Sequence, residues 1–293
     1  MRFSLLIIIF LIASFGQAQT LKIGIIADCQ YCDCDYNEDW NNDYRKGPAR
    51  LQVAVDKFNA NEVEMVFHLG DFIDRNFDSY QTMKPIISKL KMPTYFVLGN
   101  HEFSVADRLK EKILPMLNMQ QAYYTVKKNG WIFIVLDGTD ISPYRSSDPQ
   151  KIEYANQQMM KYEKMGRSQA KPWNGAIGDK QLFWLEEQLI EAEKANEKVI
   201  VLGHFPIMPI LEFNLWNDVE VVQILNEHPN VKAYFNGHHH PGNYERKKGI
   251  HYVTFQGMVR SQNQTAYAIV EVSDTTIKIH GEGREPSRSL KVK

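Results

Sequence analysis

The chain is 293 residues long with a formal net charge of -1, a balance that excludes bulk electrostatic attraction to a nucleic-acid backbone or an anionic membrane. Any anionic ligand must therefore be held locally, by metal or by a few side chains. Hydrophobic residues make up 44% of the chain, enough for a substantial buried core, and the length allows one or two domains.

Residues 1–18 read as an address. Arg2 supplies a minimal positive start, residues 5–15 are apolar but too short to span a bilayer, and Gly16-Gln17-Ala18 offers small residues where a signal peptidase reads. Cleavage after Ala18 would leave a chain with no stable membrane span, periplasmic or secreted. The competing reading is a retained N-terminal anchor. The residue just after the cut is Gln19 and not cysteine, so a lipoprotein is not expected.

Residues 21–27 form an apolar, β-branched run, the pattern of a buried strand. Asp28 and Gln30 follow it, and an extended backbone would put both oxygen donors on one face, away from Cys29. All three cysteines, Cys29, Cys32 and Cys34, crowd into this loop. A zinc site would want a fourth soft ligand and typically a second, distant pair, which the chain lacks. A local disulfide would leave one thiol over; the alternative is loop filler. Residues 36–46 are polar with aromatics and should form an exposed, substrate-facing loop.

Leu51, Val55 and Phe58 fall at helical spacing within 48–59, and 63–69 is the next strand, ending in Gly70-Asp71. Asp71 is the natural carboxylate to be shared by two cations. Asp74 would either orient its neighbours or begin a helix. A helix over 79–91 and a strand over 92–98 feed the turn Leu98 to Phe103, LGNHEF. There Asn100 can offer an amide oxygen to a divalent cation while His101 transfers a proton.

Asn129-Gly130 between apolar runs predicts a hairpin over 121–137. Residues 142–178, broken by Pro143, Pro149 and Pro172, read as a long loop insertion with a short helix near 149–165. An amphipathic helix over 178–196 follows, with Leu182, Leu185, Leu189 and Ala192 on one side. The strand 199–202 then delivers His204. A helix over 219–227 and a strand over 231–235 precede His238, His239 and His240, of which alternation would put the first and last on one face. Residues 251–280 read as strand, turn and strand, closing a second sheet.

Each corner alone is weak, since Gly and Asp are ordinary turn formers. Five such corners with ligands for a hard or borderline cation are a poor coincidence. The order Asp-x-Gln, Gly-Asp-x-x-Asp, Gly-Asn-His-Glu, Gly-His and Gly-His-x-His resembles the calcineurin-like metallophosphoesterases over the whole mature chain. Within that superfamily it looks most like the manganese-dependent ADP-ribose/CDP-alcohol diphosphatases. Gln30 where most relatives have histidine points there, as do Tyr44-Arg45, Val135-Leu136-Asp137 with Asp140-Ile141-Ser142, Asn174-Gly175, Gly281-Glu282-Gly283-Arg284 and Pro286-Ser287-Arg288.

The resemblance implies one domain over 19–293, an α/β four-layer α/β/β/α sandwich of two mixed sheets flanked by helices. It implies two divalent cations, manganese foremost. One would be held by Asp28, Gln30, Asp71 and His240, the other by Asp71, Asn100, His204 and His238, with His101 as proton donor. Two such cations would activate water for in-line attack on phosphorus without a covalent nucleophile. His239 and Pro241 depart from the usual residues around the last histidine and put the substrate contacts beside it in question.

The implied substrate is a nucleoside diphosphate-linked sugar or alcohol, with Trp40 a candidate to stack on the base and Arg45 to contact phosphate. A phosphomonoesterase or phosphodiesterase on the same fold is the second reading, and a non-catalytic metal-binding protein the third. An iron-tyrosinate phosphatase is disfavoured, because such enzymes carry tyrosine where this chain has Asp74.

Overall fold

The computed structural model describes residues 20–292, so the expected leader, 1–18, lies outside the described residues. Among these, no helix is long and apolar enough to cross a membrane. The first sheet takes strands β1 (Leu21–Ile26), β2 (Met65–His68) and β3 (Thr94–Phe96), all parallel, because each returns through helical or irregular chain on the outer face. The helices between them are α1 (Gly47–Ala60) and α2 (Ser79–Ile87); the short α3 (Asp107–Lys110) and α4 (Ile113–Met116) follow β3.

The second sheet begins with the hairpin β4 (Tyr124–Lys128) and β5 (Trp131–Val135). Its turn residues Asn129 and Gly130 have φ of 51° and 75°, the backbone that an Asn-Gly pair adopts readily. The insertion holds α5 (Pro149–Lys164), a 16-residue helix capped by Asp148, where the sequence reading puts its helix. Next come α6 (Asp179–Lys194), β6 (Lys198–Leu202), α7 (Asp218–Glu227) and β7 (Val231–Asn236). The hairpin β8 (Asn243–Lys247) and β9 (Ile250–Thr254) completes that sheet in the order β4-β5-β6-β7-β9-β8.

The C-terminal run departs from the sequence expectation. Strands β10 (Ala266–Val272), β11 (Thr276–Gly283) and β12 (Arg288–Lys291) do not extend the second sheet. They return to the first, where β10 pairs antiparallel with β1 and the order is β12-β11-β10-β1-β2-β3. Strand period alone cannot say which free edge a late strand will cover.

The strand pattern places the layers. Leu21, Ile23 and Ile25 point inward with Phe67, Phe133, Ile200, Phe235 and Val270, so the inner faces of both sheets share one apolar core. On the outer face of the first sheet, Leu51 and Phe58 of α1 and Tyr80 and Met83 of α2 meet Ile26 and Val66. On the outer face of the second, Leu185 and Leu189 of α6 and Val221 and Leu225 of α7 meet Ile134, Val201 and Tyr234. The result is the expected α/β/β/α sandwich, with the C-terminal ends of β1, β2, β3, β6 and β7 opening onto one edge.

Candidate metal centre

Every sequence-predicted metal ligand sits just past one of those strand ends. Asp28 and Gln30 follow β1, Asp71 follows β2, Asn100 follows β3, His204 follows β6, and His238 and His240 follow β7. Alternation along an extended chain is not what aims them, contrary to the sequence argument. Asp28, Gln30, Asp71 and His238 have φ of 50°, 45°, 55° and 64°, left-handed backbone that costs a non-glycine residue about 1–3 kcal/mol. Crossed backbone hydrogen bonds hold these turns: Gln30 N–H donates to Asp71 O at 2.7 Å, and Gly237 N–H to His204 O at 3.0 Å. Gly99 is obligatory because a Cβ there would strike the Asp71 carboxylate.

Asp71, His204 and His238 present ligand atoms within 4.8 Å of one another, the one such group of His, Cys, Asp and Glu among the described residues. His204 donates Nδ1–H to Leu69 O at 2.8 Å, which leaves Nε2 facing Asp71 Oδ2 at 3.2 Å and Asn100 Oδ1 at 3.3 Å. A backbone carbonyl on one ring nitrogen fixes the tautomer that makes the other a ligand. His238 sets Nε2 2.9 Å from Asn174 Oδ1, so the insertion reaches the site through Asn174, a residue whose role the sequence reading did not anticipate.

On the other side of Asp71, His240 Nε2 lies 3.8 Å from Asp28 Oδ1, with Nδ1 3.2 Å from Asn42 Oδ1. Asp28 also accepts the His238 backbone N–H at 3.0 Å. Gln30 turns its Nε2 to His101 Nε2 at 2.8 Å, leaving its Oε1 buried without a hydrogen bond. Asp71 Oδ2 is likewise buried without one. Two orphaned oxygens among buried carboxylates, amides and imidazoles form a donor set suited to divalent cations.

The carboxylate beside His101 belongs to Asp74, whose Oδ1 accepts from His101 Nδ1 at 2.7 Å. Of the two sequence readings of Asp74, the orienting one holds; α2 begins only at Ser79. Glu102, unassigned by the sequence reading, is fully buried and accepts from Gly99 N at 2.7 Å, Phe72 N at 2.6 Å and Asp71 N at 3.0 Å. One carboxylate thus ties the Asp71 turn to the Asn100 turn. Its only sequence signal was the acidic residue after Asn-His.

The electrostatics follow from burial. It raises Asp28 to about 8, with the Asp71 charge adding to it against the pull of His204. Burial would raise Asp71 too, but the imidazoles of His204 and His101 outweigh it and hold that carboxyl well below its ordinary range. His204 and His101 are each raised to about 9, where the Asp71 charge overcomes burial; Asp74 adds to the shift at His101. Burial holds His240 down to about 3 and His238 well below its usual value, so both rings stay neutral and able to ligate. A divalent cation bound here would displace the protons that Asp28, His204 and their neighbours hold, linking binding to proton release.

These groups open into a cleft of about 530 Å³, whose lining includes Gln30, Asp71, Asn100, His101, His238 and His240 at its floor. Its rim carries Trp40, Trp173 and Phe213; Trp40 meets Phe213 edge-on at 6.4 Å and is 53% exposed. Arg45 does not line it. Asp33 and Asp35 each hold its guanidinium at 2.6 Å, and the rim's arginines are Arg75 and Arg260 instead. A larger groove of about 970 Å³ near Phe103, Arg145 and Lys180 contains none of the candidate ligands. Cys32 and Cys34 form a disulfide and Cys29 is free and buried, so the local pairing left open by the sequence is the one observed.

A two-sheet sandwich with acidic, amide and imidazole ligands gathered at its strand ends defines a metallophosphoesterase-type hydrolase. The calcineurin-like phosphoesterase profile matches residues 21–242, and the chain belongs to that family. It is 28% identical to a manganese-dependent ADP-ribose/CDP-alcohol diphosphatase of Arabidopsis thaliana, over 94% of this chain and 98% of that one. The human protein of the same name is also 28% identical, over 96% and 95%. A dimetal phosphatase from Danio rerio has the same fold, with a TM-score of 0.83 at 21% identity over 93% of this chain and 99% of that one.

Proposed function

We propose that the protein is a two-metal phosphohydrolase that cleaves the phosphoanhydride of nucleoside diphosphate-linked sugars or alcohols, releasing a nucleoside monophosphate. The observation that carries this reading is the buried Asp71, placed between the Asn100–His204–His238 group and the Asp28–Gln30–His240 group. Relatives named manganese-dependent ADP-ribose/CDP-alcohol diphosphatases, matched nearly end to end, support the substrate class. Gln30 supports manganese: an amide oxygen in place of an imidazole makes one site harder.

Bound there, two divalent cations would lower the pKa of water and neutralise charge on the phosphoryl oxygens. The chain's own residues do the rest. Asp28, Gln30, Asp71 and His240 would hold one cation; Asp71, Asn100, His204 and His238 the other. His101, fixed by Asp74 through Nδ1 and lining the cleft, would transfer a proton to the departing oxygen through Nε2, the atom that Gln30 meets in this structure. Trp40 would stack on a base, a role supported by its exposed position on the cleft rim.

The test is product analysis with ADP-ribose and CDP-choline in manganese. Nucleoside monophosphate, abolished by chelation and restored by metal, is the expected result; release of inorganic phosphate favours a general phosphatase. Trp40→Ala should raise KM on these compounds far more than on a simple aryl phosphate. We also infer that the chain acts outside the cytoplasm, supported by the apolar leader and the Cys32–Cys34 disulfide. N-terminal sequencing of the exported protein should begin at Gln19.

A further inference from the structure

The cleft has two guanidinium groups on its rim, and they are not equivalent. Arg75 is engaged: its Nε lies 3.3 Å from Asp74 Oδ2 and its plane covers the Tyr44 ring at 5.5 Å. Arg260 is half-buried and lines the cleft, yet its side chain makes no hydrogen bond or ion pair among the described residues.

Its backbone, by contrast, is fixed from several sides. Arg50, itself buried, donates Nη1 to Met258 O at 3.0 Å and Val259 O at 2.9 Å, and Nη2 to Ser261 O. Arg284 donates Nη1 to Gln256 Oε1 at 2.8 Å and Nη2 to Gly257 O at 2.5 Å. Met258 N–H and Val259 N–H donate to Ala27 O and Asp28 O, both at 2.9 Å, which seats the segment against the first ligand turn. Gly257 packs on the His240 ring, where an added Cβ would lie 2.8 Å from Cδ2. Asn42, the backbone bridge partner of Arg260, is the residue that meets His240 Nδ1. The protein thus holds the Cα of a charged residue rigidly beside the metal centre and leaves the charge itself unused.

We propose that Arg260 is a specificity residue that binds the second phosphoryl group of the substrate, the one not attacked. This rests on the diphosphatase reading above. A diphosphate ester brings a negative charge on each phosphoryl group, and cations held by the Asp71 group would neutralise the one under attack. The other lies one bridging oxygen away at the cleft wall, where an unpaired guanidinium on a fixed segment offers paired N–H donors to phosphate oxygens. No interaction within the protein has to be broken before the group meets an anion, and the backbone that carries it is already fixed.

The experiment measures kcat and KM for the manganese-loaded full chain and its Arg260→Ala, Arg260→Lys and Arg260→Glu variants. The substrates are CDP-choline, with two phosphoryl groups, and the p-nitrophenyl ester of thymidine 5′-monophosphate, with one. The expected result is a KM for CDP-choline at least tenfold higher in Arg260→Ala, an intermediate value in Arg260→Lys and a larger loss in Arg260→Glu. Values for the aryl ester and the bound manganese should stay within about twofold of the parent chain. Equal losses on both substrates, or no loss on CDP-choline, overturn the assignment. A parent chain that cuts the aryl ester but not CDP-choline overturns the diphosphatase reading itself, and this assignment with it.

Discussion

Glu102 illustrates how much of the site is set by residues that need touch neither metal nor substrate. Its carboxylate receives three backbone N–H groups from two separate turns, and burial, reinforced by the Asp71 charge, raises it to about 7. Glu102→Gln turns an NH2 toward one of those donors. Manganese affinity should fall roughly 10- to 100-fold, as for other groups that orient ligands. Calorimetric titration checks this, and parent-like affinity would remove Glu102 from the account. Asp74 acts on chemistry instead: Asp74→Asn keeps the shape but removes the charge that aligns His101. We expect kcat to drop by about 10²-fold, with bound metal unchanged, because proton transfer alone is impaired. Loss of metal in that variant would place Asp74 in the wrong role. At Gln30 the expectation concerns preference: Gln30→His should shift activation from manganese toward zinc, and identical metal profiles would contradict it.

At the scale of elements, the site is a set of turns held by neighbours distant in sequence. Arg50 on α1 satisfies carbonyls of the 258–261 segment, more than two hundred residues later in the chain. Arg50→Met strands buried carbonyls and should cost on the order of 2–4 kcal/mol in urea unfolding; a loss below about 1 kcal/mol would show that water replaces the guanidinium. The strands and the corners that gather the candidate ligands were legible in the sequence, because packing alone seldom ends several apolar runs of one chain in Gly-Asp, Gly-Asn-His and Gly-His. The left-handed backbone at Asp28, Gln30, Asp71 and His238 was not, because no local rule demands it; contacts between turns impose it. Arg45 misled for a related reason. A lone arginine near the ligands looks like a phosphate contact, whereas Asp33 and Asp35, upstream in the same loop, already hold it. Asn174 was legible as a family marker but its contact with His238 was not, and Arg260 was hidden altogether, because in irregular chain position relative to a site is a matter of tertiary packing. The destination of β10 to β12 was hidden too, since edge choice is not encoded in strand period.

Across the whole molecule, burial of ionisable groups at one edge ties stability to pH. His68, on β2 beneath the site, is held down to about 3 by burial, against a usual value of 6.5. Below pH 6.5 the unfolded chain takes up a proton there that the folded chain refuses. Stability is therefore complete above that pH and falls toward pH 3, by about 1.4 kcal/mol per unit for this one group. Thermal unfolding between pH 7 and 4 should show His68→Gln losing less stability than the parent chain; parallel curves would contradict it. The central claim is that seven side chains from both sheets form one two-cation site through Asp71. Its most direct test is the number of manganese ions bound per chain, by elemental analysis after equilibrium dialysis, for the parent chain, Asp71→Asn and His101→Ala. We expect two in the parent and in His101→Ala, and at most one in Asp71→Asn; a single ion in the parent chain, or two retained in Asp71→Asn, would contradict the claim.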